Sequence, residues 1–487
     1  MVRHGLATLV CASVAVAAAL AVVSAGAPAP ARAAGAPVAT AATLGAPPLT
    51  ITALPPRGIW AAVTGPTTDA ETWVDVARAP DGDLYAAGSF GASATAGDIM
   101  VGEFSAADAA TEHLIWSDVW DNPTEHLVDQ ASALAVDGSG DLVVAGTTQS
   151  ATNGREWVVL EWTASHKLAW QTVIPAHAGV AWSASASDVV CDAAGNAYVC
   201  GTAQTGTAGG KRVSSLVVRK LSGADGHVVW TRAYAGVRRS TNAGLRLALG
   251  TAGDLYCTGF AGGAHGAPAM LVCRLSTSTG RLVWLRRIAG AARPGAQGIA
   301  LAVRGSRVWA AGYRTTGAKG RVVVLADYSL AGRRLWLSSW HKTAQTLEDP
   351  TALTVDRHGD AVIVGTGIRG AREYAFIVHY DASGRLTWDR TAYEVKSHKA
   401  VWFGVVSDDA GRIWTVGALP GATGSTSLLV ASYAASGAVV WHSVWSGPEG
   451  LGAAGFSLCL SGNGVFVGGA TITRNGGVDA LAAKLTR

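Results

Sequence analysis

A short pattern of apolar and polar positions recurs along the chain: an apolar stretch, a polar turn, a second apolar stretch and a closing glycine. The copies read DGDLYAAG (81–88), GSGDLVVAG (138–146), AAGNAYVCG (193–201), TAGDLYCTG (251–259), RGSRVWAAG (304–312), RHGDAVIVG (357–365), DAGRIWTVG (409–417) and SGNGVFVGG (461–469). Their closing glycines, Gly88, Gly146, Gly201, Gly259, Gly312, Gly365, Gly417 and Gly469, stand 52 to 58 residues apart. After each of the first seven copies comes an apolar run, a polar turn and a run carrying tryptophan, as in LVVRKLSGADGHVVW (216–230) and LVCRLSTSTGRLVW (271–284). These tryptophans are Trp116, Trp170, Trp230, Trp284, Trp336, Trp388 and Trp441. Short apolar runs bounded by Gly, Asp and Asn read as strands joined by tight turns, and no helical period competes with them.

Each unit therefore predicts four strands, the layout of a propeller blade. The eighth unit ends at DALAAKLTR (479–487), before its Trp strand, while RGIWAAVTG (57–65) near the other end matches VVWTRAYAG (228–236). Pairing the two ends would close the ring and remove an exposed sheet edge. The expected fold is all-β: a single closed β-propeller of eight four-stranded blades, the last completed by the N-terminal strand, with seven blades as the alternative. The expected divisions are a signal peptide (1–33), an Ala/Pro-rich linker (34–56) and the propeller (57–487).

The pattern Gly-Asp-Leu-Tyr-x-x-Gly, then Val-x-Lys-Leu or a variant, then Gly-x-x-x-Trp, resembles the bacterial SBBP-type β-propeller repeats. It is also similar to the tryptophan-docking repeats of the pyrroloquinoline-quinone (PQQ) dehydrogenases. The resemblance spans about residues 57–487 and implies a propeller, and for the first group an extracellular or cell-surface protein. Motifs of this kind specify fold rather than function.

Composition narrows the class. Only 15% of the 487 residues are charged, while Gly (61) and Trp (18) are abundant, which excludes a disordered chain. Lys plus Arg exceed Asp plus Glu by 38 to 34. So small an excess, without a contiguous basic block, gives no reason to expect nucleic acid. Arg3 and His4 precede an apolar run from Leu6 to Ala27, and Ala31-Arg32-Ala33 offers a small-x-small cleavage site. This reads as an export signal, with an uncleaved anchor as the alternative, and it places the protein outside the cell or on its surface. No other stretch is long and apolar enough to span a membrane. Cleavage would remove Cys11 and leave Cys191, Cys200, Cys257, Cys273 and Cys459. Cys257 and Cys273 could face each other across a hairpin, and their oxidation state stays open.

The turns offer calcium-like oxygens at Asp81 with Asp83, Asp137 with Asp141, Asp192 with Asn196 and Asp356 with Asp360. Each turn lacks the later bidentate Glu of an EF-hand, and an Asp that bonds its own turn backbone is the reading favoured here. Nucleophile and zinc motifs, Gly-x-Ser-x-Gly and His-Glu-x-x-His, are missing. An adjacent cysteine pair of the kind quinoprotein dehydrogenases use is missing too. No catalytic, cofactor or metal residues are assigned, although calcium and PQQ are the cofactors weighed. The longer, more polar connections between units carry the candidate ligand-face residues: Glu125, His126, Arg238, Arg239, Asn242, His341, Lys342, Glu348, Asp349 and His398. Binding residues concentrate on loops held by a rigid scaffold. The expectation is a monomeric binding or scaffolding module for a protein or glycan. A propeller enzyme, either a PQQ-type dehydrogenase or a hydrolase or lyase, is the alternative.

Overall fold

The computed structural model describes residues 41–42, 60–64 and 70–485, apart from 92–96, 108–112, 178–181, 209–210, 237–239, 251–252, 263–266, 291–294, 318–319, 344–345, 395–398, 422–424, 463 and 475–476. The described residues are all-β, in repeated four-stranded antiparallel sheets. Sheet 1 runs Thr72–Arg78, Leu84–Phe90, Asp98–Phe104, Leu114–Trp120, each strand paired with the next. The same up-and-down order begins again at Asp129 (sheet 2), Trp182 (3), Ala243 (4), Ala296 (5), Thr346 (6) and Val401 (7). In sheet 8 the chain supplies Ala453–Ser461, Gly464–Ile472 and Val478–Leu485, and the fourth strand is Trp60–Thr64. That strand lies antiparallel to the third, with Trp60 opposite Lys484 and Thr64 opposite Ala480. Residues 1–33 and 34–56, the expected signal and linker, lie outside the described residues apart from 41–42.

Burial follows the order of strands. The second and third strands are buried on both faces, as in Leu142–Ser150 and Gly154–Trp162, whereas the fourth alternates half-buried and exposed, as in Leu114–Trp120. Near-continuous apolar runs such as LVVAG arise because sheets stack face to face and leave the middle strands no wet side.

The closing glycines have a steric cause. Every first strand carries a one-residue register shift against the second, at Trp73/Asp75 in sheet 1 and Gly298/Ala300 in sheet 5, for example. Such a bulge bends the strand and increases its twist. Beside it a first-strand carbonyl presses onto the glycine of the second strand. A Cβ at any of the eight closing glycines would stand 1.8–2.2 Å from that oxygen.

The fourth-strand tryptophans join each sheet to the next. The indole Nε1 of Trp170, Trp230, Trp284, Trp336 and Trp388 donates to the carbonyls of Gly223, Thr277, Leu330, Ala382 and Ala435, at 2.8–3.2 Å. Each acceptor lies in the turn before the following sheet's fourth strand. Glycines of those turns, such as Gly332 and Gly384 at φ +80° and +84°, sit directly over the ring, where a Cβ would meet it at 2.6 and 2.4 Å. In sheet 2 His166 holds this place at φ 66° and stacks on Trp116 at 4.7 Å. The recurrent tryptophans are thus packing residues.

The last sheet also meets the first. Ser457 Oγ donates to Asp75 Oδ1 at 2.8 Å, and Lys484 donates to the Ala106 carbonyl. Phe466 packs against Phe104, which meets Trp73 edge-on, with centroids at 5.5 and 5.9 Å. Cys257 and Cys273 do stand opposite each other across the sheet 4 hairpin, as buried free thiols.

Candidate functional site

Two ends of the sheets differ in kind. At one end lie the tight turns between first and second strands. There Asp137, Asp192, Asp356 and Asp408 each accept backbone N–H groups two and four residues on, at 2.8–3.0 Å. Asp81 accepts from Asp83 N at 3.0 Å. These carboxylates are occupied in shaping turns.

At the other end the connections between sheets run beside the hairpins that join second and third strands. Three groups of the expected residues lie here, and no hydrogen bond or ion pair links one group to another among the described residues. Glu125 accepts from Ser150 Oγ at 2.7 Å and Ala151 N at 2.5 Å, which holds its carboxyl below the ordinary range. Its neighbour His126, exposed and at φ 47°, pairs through Nδ1 with Asp121, which raises the imidazole pKa. Asn242 is buried, and its Oδ1 accepts from Gly236 N at 3.1 Å and Gly262 N at 2.9 Å. In the third group Glu348 is wholly buried and accepts from Lys342 N at 3.1 Å, Tyr374 OH at 2.9 Å and Thr346 Oγ1. Burial pushes its pKa up. Asp349 pairs with Arg321, and Lys342 Nζ lies 3.2 Å from Asp389. His341 is half-buried. Arg238, Arg239 and His398 lie outside the described residues. Glu125, Asn242 and Glu348 therefore hold the connections in place, and His126 is exposed while His341 and Lys342 are half-buried.

The first connection also gathers charge. Carboxylate oxygens of Asp98, Asp121 and Asp129 lie within 4.8 Å of one another. Asp129 is 0% exposed, and Asn122 N donates to its Oδ2 at 2.8 Å. Burial raises its pKa to about 6, against the opposing pull of hydrogen bonds from Thr148 and Asn122. A carboxyl with a folded pKa above its unfolded value holds extra protons in the folded state, so stability is present at low pH and is lost as pH rises from about 4 through about 6. Replacing Asp129 by Asn is expected to raise stability at pH 8 by up to about 3 kcal/mol and to change little at pH 4. Urea titrations of both proteins at the two pH values check this, and equal stabilities at pH 8 would refute it.

Three charged residues at the inner edge lacked any motif in the sequence. Asp75, Asp188 and Arg246 each follow a first-strand bulge. Asp75 Oδ2 accepts from Leu134 N of sheet 2 at 3.1 Å, and Asp188 Oδ2 from Leu247 N of sheet 4 at 2.6 Å. Each carboxylate thereby satisfies a backbone donor of the next sheet. Burial raises both pKa values, that of Asp188 to about 6, while the Arg246 charge lowers both. All three stand thirteen residues before a closing glycine, Gly88, Gly201 and Gly259. Aligning the units on that glycine would have exposed them.

The fold is found among solved structures. The chain is similar to the quinohemoprotein alcohol dehydrogenase of Comamonas testosteroni with a TM-score of 0.51, at 10% identity over 88% of this chain and 76% of that one. BamB from Moraxella catarrhalis is matched with a TM-score of 0.45, at 15% identity over 85% and 99%. A virginiamycin B lyase from Staphylococcus aureus is matched with a TM-score of 0.42, at 10% identity over 88% and 99%. No protein-family model matches the chain, and no curated protein matches its sequence. At such identities the likeness shows the fold, that of the β-propellers, and nothing of activity.

The residues present do not fit the quinone that the dehydrogenase repeats imply. The tryptophans that could floor a planar cofactor are committed to inter-sheet contacts, with their N–H groups donated to backbone carbonyls. The sequence has no adjacent cysteine pair to cover such a group.

Proposed function

We propose that the chain is an exported binding module: residues 1–33 direct export, 34–56 form a linker, and 57–487 close as one eight-bladed propeller. Closure is supported by the Trp60–Thr64 pairing in sheet 8 and by the contacts of that sheet with Asp75, Phe104 and Ala106 of sheet 1. The influence of Arg246 in sheet 4 on Asp75 in sheet 1 also supports a ring of first strands facing a common axis. Function is assigned to the face of the inter-sheet connections, as a monomeric receptor or scaffold for a protein or glycan at the cell surface or outside it.

The observation that carries this reading is the anchoring of those connections. Buried or hydrogen-bonded Glu348, Asn242 and Glu125 fix long links in place, leaving His126 exposed and His341 and Lys342 half-buried. Pre-ordered loops lose little entropy on binding. Replacing Arg238, Arg239, His341 and Lys342 together by Ala is expected to abolish binding to immobilised cell-envelope proteins and arrayed neutral glycans while leaving the melting temperature unchanged. Binding that survives the fourfold change rules out this face.

A further inference from the structure

The near balance of charge over the whole chain conceals a strong polarity. Residues 211–342, which span the outer half of sheet 3 and all of sheets 4 and 5, hold twenty-one Lys and Arg, three Asp and no Glu. The remainder holds seventeen Lys and Arg against thirty-one Asp and Glu. Seventeen of the twenty-one are arginine.

The three acids of this sector are already paired: Asp225 with His227, Asp254 with Arg274 and Asp327 with Arg307. Acids from outside it take Lys220, Arg304, Arg321 and Lys342. On the outer wall Arg232, Arg281, Arg287, Arg333 and Arg334 are left without a carboxylate partner among the described residues. Arg281 and Arg333 occupy the same position of the turn before the fourth strand in sheets 4 and 5, closing it through their carbonyls. Both are exposed, as are Arg232, Arg287 and Arg334.

Between the third and fourth sheets this wall carries a small indentation of about 20 Å³, lined by Leu216, Leu271, Leu282 and Leu285 and flanked by Arg232 and Tyr234. Arg287 reaches across to the Tyr234 hydroxyl, its guanidinium 5.7 Å from the ring centroid. An accessible aromatic ring and two guanidinium groups suit a sugar ring that carries a carboxylate or sulfate: the sugar's apolar face packs on the Tyr234 ring, and its anion accepts paired hydrogen bonds from Arg. Neighbouring Arg281, Arg333 and Arg334 would meet the next charges of a polymer.

We propose that the outer wall of sheets 3 to 5 binds an anionic polysaccharide, with its principal subsite at Arg232, Tyr234 and Arg287. The proposal rests on the binding-module reading for its ligand class but uses a different surface from the connection face.

The full exported chain would be titrated with polygalacturonate, dextran sulfate, neutral dextran and a DNA duplex. Binding to at least one of the two anionic polysaccharides is expected, lost on raising ionic strength to about 0.5 M, where charges more than a few ångströms apart are screened. Arg232→Ala with Arg287→Ala should weaken it tenfold or more. The exposed set Arg281→Ala, Arg333→Ala and Arg334→Ala, which touches no core, should weaken it at least threefold. A His126→Ala and His341→Ala control should leave it unchanged, which separates this surface from the connection face. The proposal falls if neither anionic polysaccharide binds, if neutral dextran binds as tightly, if DNA binds more tightly than both, or if both arginine variants bind as wild type.

Discussion

Replacing Gly312 by alanine is expected to destabilise the protein by at least about 4 kcal/mol, more than most single substitutions do. The added Cβ would stand 2.0 Å from the Gln297 carbonyl oxygen and 2.9 Å from the Gly298 Cα. No side chain can rotate to relieve that contact, because both obstacles are backbone. The first strand of sheet 5 would have to lift from the second at its bulge, where Gly298 pairs with Gly312. Gly138 supplies the control, since a Cβ there meets nothing within 4 Å. Guanidinium unfolding of G312A and G138A compares the two. A G312A midpoint equal to that of G138A would show that the closing glycine has some other cause.

Deleting residues 57–65 should lower stability by roughly 2–7 kcal/mol, the sum of about five backbone hydrogen bonds at their usual net worth. The strand Trp60–Thr64 is paired along its whole length to residues 480–484. Its loss would expose the edge of Val478–Leu485, a strand whose eight residues are all buried. A bare, apolar edge also invites pairing between molecules. The truncated protein should therefore melt earlier and aggregate, as followed by calorimetry and light scattering. A truncated form that melts like the intact chain would refute closure at the eighth blade.

These two outcomes concern features that were visible before any coordinates. The closing glycines and the recurring tryptophans stood out because each answers a local requirement that returns in every unit: a carbonyl pressed on a strand, and a ring docked on the next turn. The terminal strand could be placed because the eighth unit lacked a Trp strand that residues 57–65 resembled. The inner-edge residues were harder to see. Asp75, Asp188 and Arg246 take the place that Ala, Gly or Ser holds just after the bulge in other units, and the partners of the two carboxylates, Leu134, Ser457 and Leu247, come from neighbouring sheets. Likewise the candidate loops were legible as polar connections, but nothing in the polar pattern distinguishes Glu348, which is buried and anchors a loop, from His126, which is exposed.

The sequence by itself determined the repeating unit of four strands, its turns and the residues that each unit needs to stack on the next. Those properties depend on neighbours within one unit or the adjacent one, so the pattern repeats and can be read. Only the tertiary structure decided which loop residues are anchors, which carboxylates bridge sheets, and that Arg287 of sheet 4 meets Tyr234 of sheet 3. Such placements depend on residues distant in the chain, brought together by the order in which the sheets pack. No period in the sequence records that order.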